Sequence, residues 1–260
     1  MRKWNFCAGP AAIPEEVLIE AQNELLEWGL SGSSVMEVSH RSDLFAEVAA
    51  SSTKDIKALL NIGDDHEVLF LQGGATLQFT SVPLNFTKKS STVSYLNTGL
   101  WSKKAIKAAS KYASVNVVAS SEESNYIYVP SIQEWRVDSD SIYFHYVMNE
   151  TIQGLAIRDP ISSEIPVICD MSSCILSEEV DFQNLDLVYA GAQKNIGPAG
   201  LTLVIIKKDF LEKANDDIPD ILSYKKNSQA GSMLNTPPTF AWYLAGKVFK
   251  WLLKKGGVKS

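Results

Sequence analysis

The chain has 260 residues, 45% of them hydrophobic and 21% charged, with a net charge of −6 from 24 basic and 30 acidic side chains. That composition excludes disordered, collagen-like and low-complexity classes, and it suits one large domain or two small ones with a full core. The acidic balance argues against a bulk nucleic-acid binder. The longest clear apolar run, Leu201–Ile206, falls far short of the ~18 residues of a membrane span, and the first six residues lack the apolar stretch of a secretory leader. Cys7, Cys169 and Cys174 fit neither a CxxC motif nor a disulfide framework, so buried free thiols in a reducing cytoplasm are expected. His40, His66 and His145 have no partner at ligand spacing, so no metal site is expected.

In chain order the signals alternate. Pro14-Glu15-Glu16 opens a helix whose stripe is Val17, Leu18, Ala21, Leu25 and Trp28, stopping near Gly29–Gly32. Asp43–Leu60 is a second helix. Glu67–Leu71 reads as a buried strand ended by Gly73-Gly74, and Ala75–Phe79 opens a helix. Thr92–Leu96 is a strand, and Ser102 is expected to cap the helix that carries Ala105, Ile106, Ala109 and Tyr112. Short β-rich runs follow at Val115–Ala119, Ser141–Val147, Pro166–Asp170, Leu185–Ala190 and Leu201–Lys207, with polar loops expected at Ser120–Asn125 and Asn227–Gln229. Thr239–Lys255 is the last helix, with Phe240, Leu244, Val248, Trp251 and Leu252 on one face. Nearly continuous apolar strands alternating with helices predict an α/β protein with a mostly parallel sheet covered on both faces.

Three features carry chemistry. A strand runs into Gly191-Ala192-Gln193-Lys194-Asn195-Ile196-Gly197-Pro198-Ala199-Gly200, delivering a single lysine among small residues. Small neighbours let a planar group approach the backbone, and partial desolvation moves an amine towards nucleophilic range. Most loop lysines are merely solvated; the flanking glycines and apolar strands set this one apart. The apolar strand Val167-Ile168-Cys169 ends in Asp170, at the end of a strand where open α/β sheets bind ligands. Such a carboxylate can hold a proton on a heterocyclic nitrogen, although an aspartate there is commonly just a turn cap. Gly73-Gly74-Ala75-Thr76, between strand and helix, offers free amides to a phosphate. It is neither GxGxxG nor a P-loop, which disfavours dinucleotides and nucleoside triphosphates. An imine lysine, a pyridinium aspartate and a phosphate cradle together specify pyridoxal 5′-phosphate.

Further segments join these: Asn5-Phe6 with Ala8-Gly9-Pro10-Ala11, Ser34–Arg41, Asn149-Glu150-Thr151-Ile152-Gln153-Gly154, Asp170-Met171-Ser172-Ser173 and Gly231–Phe240. With them the chain closely resembles, over essentially its whole length, the phosphoserine aminotransferase family of class V, fold type I pyridoxal-phosphate enzymes. The resemblance implies that Lys194 carries the Schiff base and Asp170 pairs with the pyridine nitrogen. It implies that Trp101 stacks on the ring, that Thr151 bonds the phenolic oxygen, and that Ala75, Thr76, Ser172 and Gln193 hold the cofactor phosphate. Asn235 and Thr236 would reach the phosphate of a neighbouring subunit's cofactor, and His40 and Arg41 would bind substrate phosphate across the dimer, making a homodimer necessary.

Two departures stand out. Ala75-Thr76 replaces a Gly-Arg pair carried by some members. The family also has a C-terminal small domain that supplies an arginine for the substrate carboxylate, whereas this chain's arginines are Arg2, Arg41, Arg136 and Arg158. The expected organisation is therefore an N-terminal segment, 1–14, and a fold type I cofactor-binding large domain, 15–260, with the small domain absent. The resemblance implies a cytoplasmic transaminase that makes phosphoserine and 2-oxoglutarate from 3-phosphohydroxypyruvate and glutamate. It also allows a related phosphorylated hydroxy-oxo acid of vitamin B6 synthesis. The rivals are another class V transaminase, a cysteine desulfurase and an inactive cofactor-binding fragment. A desulfurase needs a mobile catalytic cysteine, and the three here lie near the start or around Asp170.

Overall fold

The elements form in the order α1 (Glu15–Asn23), α2 (Asp43–Leu60), β1 (His66–Gln72), α3 (Gly74–Phe86), β2 (Thr92–Asn97), α4 (Leu100–Ala109), β3 (Ser114–Ser120) and β4 (Phe144–Val147). There follow β5 (Asn149–Glu150), β6 (Leu155–Ala156), β7 (Val167–Asp170), β8 (Leu187–Gly191), α5 (Ala192–Asn195), β9 (Leu201–Lys207), α6 (Lys208–Leu211), α7 (Tyr224–Gln229) and α8 (Thr239–Lys254). This computed structural model describes residues 2–159 and 161–260; Met1, the first residue of the expected N-terminal segment, lies outside them. None of its helices is long and apolar enough to cross a membrane.

Seven strands make one sheet in the order β1-β9-β8-β7-β4-β2-β3. β9 runs antiparallel to both of its neighbours, and the remaining pairings are parallel. The mostly parallel α/β sheet expected from the apolar strands is present. Alternation along β9 shows why its run is continuously apolar. Leu201, Leu203 and Ile205 enter one buried layer with Phe45, Ile56 and Trp242 of α2 and α8. Val204 and Ile206 enter the other, with Phe79 and Val82 of α3 and Ala105 and Ala109 of α4. A strand buried on both faces has no polar side to show.

Four expectations are corrected here, and a fifth, the Ser102 cap, with the site. α1 ends at Asn23, well before Trp28; Leu25 and Leu26 are exposed, and Trp28 meets Tyr243 edge-on from a turn, 5.9 Å between centroids. Asn227–Gln229 is the end of α7, capped by Ser223, whose Oγ accepts from Lys226 N. Cys7 is exposed; only Cys169 and Cys174 are buried. α8 carries two apolar faces. Tyr243, Leu244 and Val248 pack with Val17 and Ala21 of α1, while Trp242, Ala245 and Phe249 enter the main core. Trp242 stacks on Phe70 at 4.4 Å and meets Phe45 edge-on at 5.7 Å. Burying an aromatic of that size stabilises by roughly 4–6 kcal/mol before entropy is counted.

Candidate active site

β9 alone is reversed, so the carboxyl ends of β1, β2, β4, β7 and β8 share one edge of the sheet. The loops leaving that edge carry Ala75 and Thr76, Trp101, Thr151, Asp170 with Ser172, and Gln193 with Lys194. Ligands bind at this edge in open α/β sheets because loops from several strands converge there.

Lys194 sits in the single turn α5. Its Nζ donates to Thr151 Oγ1 at 2.6 Å and lies 4.7 Å from the centroid of the Trp101 ring. Partial burial lowers the amine's pKa, opposed by the charges of Asp170 and Glu150. The N-terminal segment closes over it: Ala11 N donates to Gln193 O at 2.8 Å, and a Cβ on Gly9 would come within 2.9 Å of Lys194 Cγ.

Asp170 is buried at the end of β7, 4% exposed. Its Oδ1 accepts from Ser172 N at 2.9 Å and Ser172 Oγ at 2.6 Å, while Ser172 Oγ also accepts from Gly191 N at 3.1 Å. That bridge ties β7 to β8 and fixes the carboxylate. Burial raises the pKa of Asp170, outweighing the Ser172 bonds and the Lys194 charge. Below it on the same face lies a polar aromatic layer. His145 stacks on Tyr95 at 4.5 Å, and its Nε2 is 2.9 Å from the Tyr189 hydroxyl. Burial pushes His145 down to about 3, which keeps the imidazole neutral and removes it as an acid near neutral pH.

Trp101 is half-buried in the first turn of α4, its Nε1 without a partner among the described residues. Ser102 is not the cap. The helix begins at Leu100, and Ser102 Oγ instead accepts from Thr98 N and Gly99 N, both at 2.9 Å. The first amides of α4 go to another segment: Glu150 Oε2 accepts from Trp101 N at 2.9 Å, Glu150 Oε1 from Ser102 N at 2.8 Å, and Gln153 Oε1 from Leu100 N at 3.2 Å. Glu150 and Gln153 stand in the 149–154 segment of the sequence with no such role expected of them. Gly99 was the available signal, because a helix starting after glycine has no side-chain oxygen of its own to accept its amides.

Gly73 holds the strand-to-helix turn at φ +94°, and an added Cβ on Gly74 would meet nothing within 4 Å. The first turn of α3 follows at once, with half-buried Ala75 and exposed Thr76. A cavity of about 180 Å³ adjoins this turn, lined by Gln72, Leu77, Tyr224, Ser232, Asn235 and Pro237 among others. Asn235 and Thr236 are exposed. His40 is half-buried and Arg41 exposed, just before α2. Among the described residues none of these four bonds to the Lys194 group; the structure brings together Lys194, Thr151, Trp101, Asp170 and Ser172.

That set suits pyridoxal phosphate. An amine beside an unpartnered indole, a buried carboxylate with a raised pKa and a helix start behind a glycine turn match the imine carbon, ring face, ring nitrogen and phosphate in turn.

Residues 3–260 match the family Aminotransferase class-V. The chain is 53% identical over 260 residues to a phosphoserine aminotransferase of Hahella chejuensis and 49% over 261 residues to one of Acinetobacter baylyi, spanning all of itself and 72% and 73% of them. Among solved structures, the phosphoserine aminotransferase of Bacillus circulans subsp. alkalophilus is 42% identical with a TM-score of 0.96, the match covering 99% of this chain and 72% of that one. A pyridoxal-phosphate-bound phosphoserine aminotransferase from Trichomonas vaginalis is 41% identical with a TM-score of 0.94, covering 99% and 77%.

Proposed function

The chain belongs to the class-V aminotransferases and, within them, to the phosphoserine aminotransferase family, and from that premise we propose the reaction and the roles of its residues. It transfers the amino group of glutamate to 3-phosphohydroxypyruvate, giving O-phosphoserine and 2-oxoglutarate, with pyridoxal 5′-phosphate as cofactor. The observation that carries the reading is Lys194: a partly desolvated amine held by Thr151 against the Trp101 ring.

When bound, the cofactor supplies an electron sink for the charge that develops at the substrate's Cα. Lys194 would anchor it and would be the base that takes and returns the proton at that carbon. Desolvation keeps more of the amine unprotonated near neutral pH, as a base requires. Asp170 holds the proton on the ring nitrogen; Ser172 fixes the carboxylate's direction, and the charge that burial disfavours is compensated by the pyridinium. Trp101 covers one face of the ring and Thr151 takes the phenolic oxygen. The α3 amides at Ala75 and Thr76, with Gln193, would hold the phosphate, and Ser172 would join them by turning its hydroxyl proton away from Asp170.

We further propose that 15–260 acts as the cofactor-binding domain of a cytoplasmic homodimer. Asn235 and Thr236 would complete the neighbouring phosphate site. His40 and Arg41 would bind substrate phosphate from the opposite subunit, for which Arg offers a bidentate fork. Arg2, Arg136 and Arg158 already bond to Ile13 O, to Gln133 O and Trp135 O, and to Glu178.

Adding pyridoxal phosphate should produce visible absorbance that glutamate bleaches and 3-phosphohydroxypyruvate restores. Bleaching by cysteine with sulfide release, or no visible band, would defeat the assignment. Mixing Lys194→Ala with Arg41→Ala protomers should recover activity through hybrid sites; none despite proven subunit exchange would place each site within one chain.

A further inference from the structure

We propose that Glu150 is a positioning residue of this site: its carboxylate locks the start of α4, and so Trp101, to the segment that carries Thr151. The proposal rests on the reading of Trp101 and Thr151 as cofactor contacts.

The geometry leaves α4 no slack at its start. The first bond inside the helix is Lys103 N to Gly99 O at 3.1 Å, so the amides of Leu100, Trp101 and Ser102 must look elsewhere. All three find acceptors within the short stretch 150–153, at 3.2, 2.9 and 2.8 Å. The two from Glu150 are charge-assisted and directed at the positive end of a helix. Glu150 is 1% exposed, so its carboxylate bonds these amides away from bulk water. It lies so close to the chain that a Cβ on Gly99 would sit 2.5 Å from its Cδ.

The other side of the anchor is equally short. Glu150 belongs to the small β5–β6 pair, and its carbonyl accepts from Gly154 N at 2.7 Å, closing a tight turn. Thr151, the next residue, holds Lys194. One carboxylate therefore sets the spacing between an aromatic wall and the hydroxyl that orients the amine. Its carboxylate bonds to Trp101 N and Ser102 N and acts on the site through them, which makes it a positioning group rather than a catalytic one.

The test is Glu150→Gln, nearly isosteric but with a single acceptor oxygen, so that one helix amide faces an NH2. In the cofactor-free protein, amide exchange at Trp101 and Ser102 should quicken about tenfold to a hundredfold, while that of β9 and α8 stays unchanged. In the loaded protein, pyridoxal phosphate should dissociate about tenfold more readily, and the visible circular dichroism of the bound cofactor should change. A general loss of stability would not alter that signature. Gln153→Ala, which frees only Leu100 N, should give a weaker version of each effect. Unchanged exchange at Trp101 and Ser102 would overturn the anchor. Faster exchange with unchanged affinity and dichroism would reduce Glu150 to a plain cap and overturn the positioning role. Failure of the wild-type chain to take up the cofactor would instead overturn the functional reading, and this role with it.

Discussion

A single methyl group added at Gly99 should disturb the start of α4. Gly99 has φ 172° and ψ −163°, an extended conformation open to alanine, so any cost of Gly99→Ala comes from space alone. The new Cβ would lie 2.5 Å from Glu150 Cδ, 2.6 Å from Glu150 Oε2 and 2.7 Å from Gln153 Oε1. Side-chain ends usually move aside cheaply, but this carboxylate is buried and bonded to Trp101 N and Ser102 N. Expelling it would forfeit two charge-assisted hydrogen bonds at about 1.5–3 kcal/mol each. Absorbing the methyl by local shifts costs about 1–3 kcal/mol, and that cheaper route sets the expectation. Alanine returns about 0.4–1 kcal/mol by restricting the unfolded chain. The net loss should be about 1–2 kcal/mol, a fall in melting temperature of roughly 2–8 °C. Denaturant unfolding of the cofactor-free protein measures it. A double-mutant cycle with Glu150→Ala isolates the cause, because removing the carboxylate should lower the penalty and leave only the Gln153 contact. Wild-type stability in Gly99→Ala, or the same penalty in both backgrounds, would refute the reasoning.

Other outcomes follow from the same geometry. Lys194→Ala should leave the fold intact and abolish borohydride trapping of the cofactor; label on a different lysine would dismiss the assignment. Asp170→Asn keeps an Oδ1 for Ser172 but no charge. The folded protein holds the Asp170 proton to higher pH than the unfolded chain does, so this group lowers stability as pH rises from its unfolded pKa through its raised folded one. The variant should therefore be more stable than wild type near neutral pH without cofactor, yet hold the cofactor about tenfold or more weakly, as a pH series of melting curves and a binding titration would show. Ser172→Ala should cost about 1–3 kcal/mol in denaturant unfolding, because Gly191 N loses its buried partner. Trp242→Ala should cost about 3–5 kcal/mol in the same assay.

Much of the fold was legible because β strands buried on both faces must be written in apolar residues, and β7, β8 and β9 are. The lysine loop and Asp170 were legible for a related reason: each sets a lone charge at the end of such a strand, where open α/β sheets bind ligands. Other features depended on partners distant in sequence. The start of α4 is set by Glu150 and Gln153, some fifty residues on, so Ser102 looked like a cap when judged by its neighbours alone. α1 stops at Asn23, yet Trp28 still reaches Tyr243 from beyond the helix, so its apolar character alone did not mark it as helical. α8 has two cores to serve, and a single stripe described only one. Cys7 is exposed because the N-terminal segment lies across the lysine loop instead of entering the interior.

The register that pairs His66 with Lys207 and Gln72 with Leu201 also has a consequence for biosynthesis. β1 lies at the margin of the sheet and touches it only through β9, which leaves the ribosome more than a hundred residues later. Until then β1, and the glycine turn hung on its end, has no strand to pair with. Loop closure over that span delays the pairing and raises contact order. A nascent chain arrested before residue 201 should thus remain unable to hold a phosphate at α3 even with β2, β4 and β7 in place. Cofactor capture would then mark the joining of the first and last strands of the sheet, a late event that ribosome-bound chains of graded length could time.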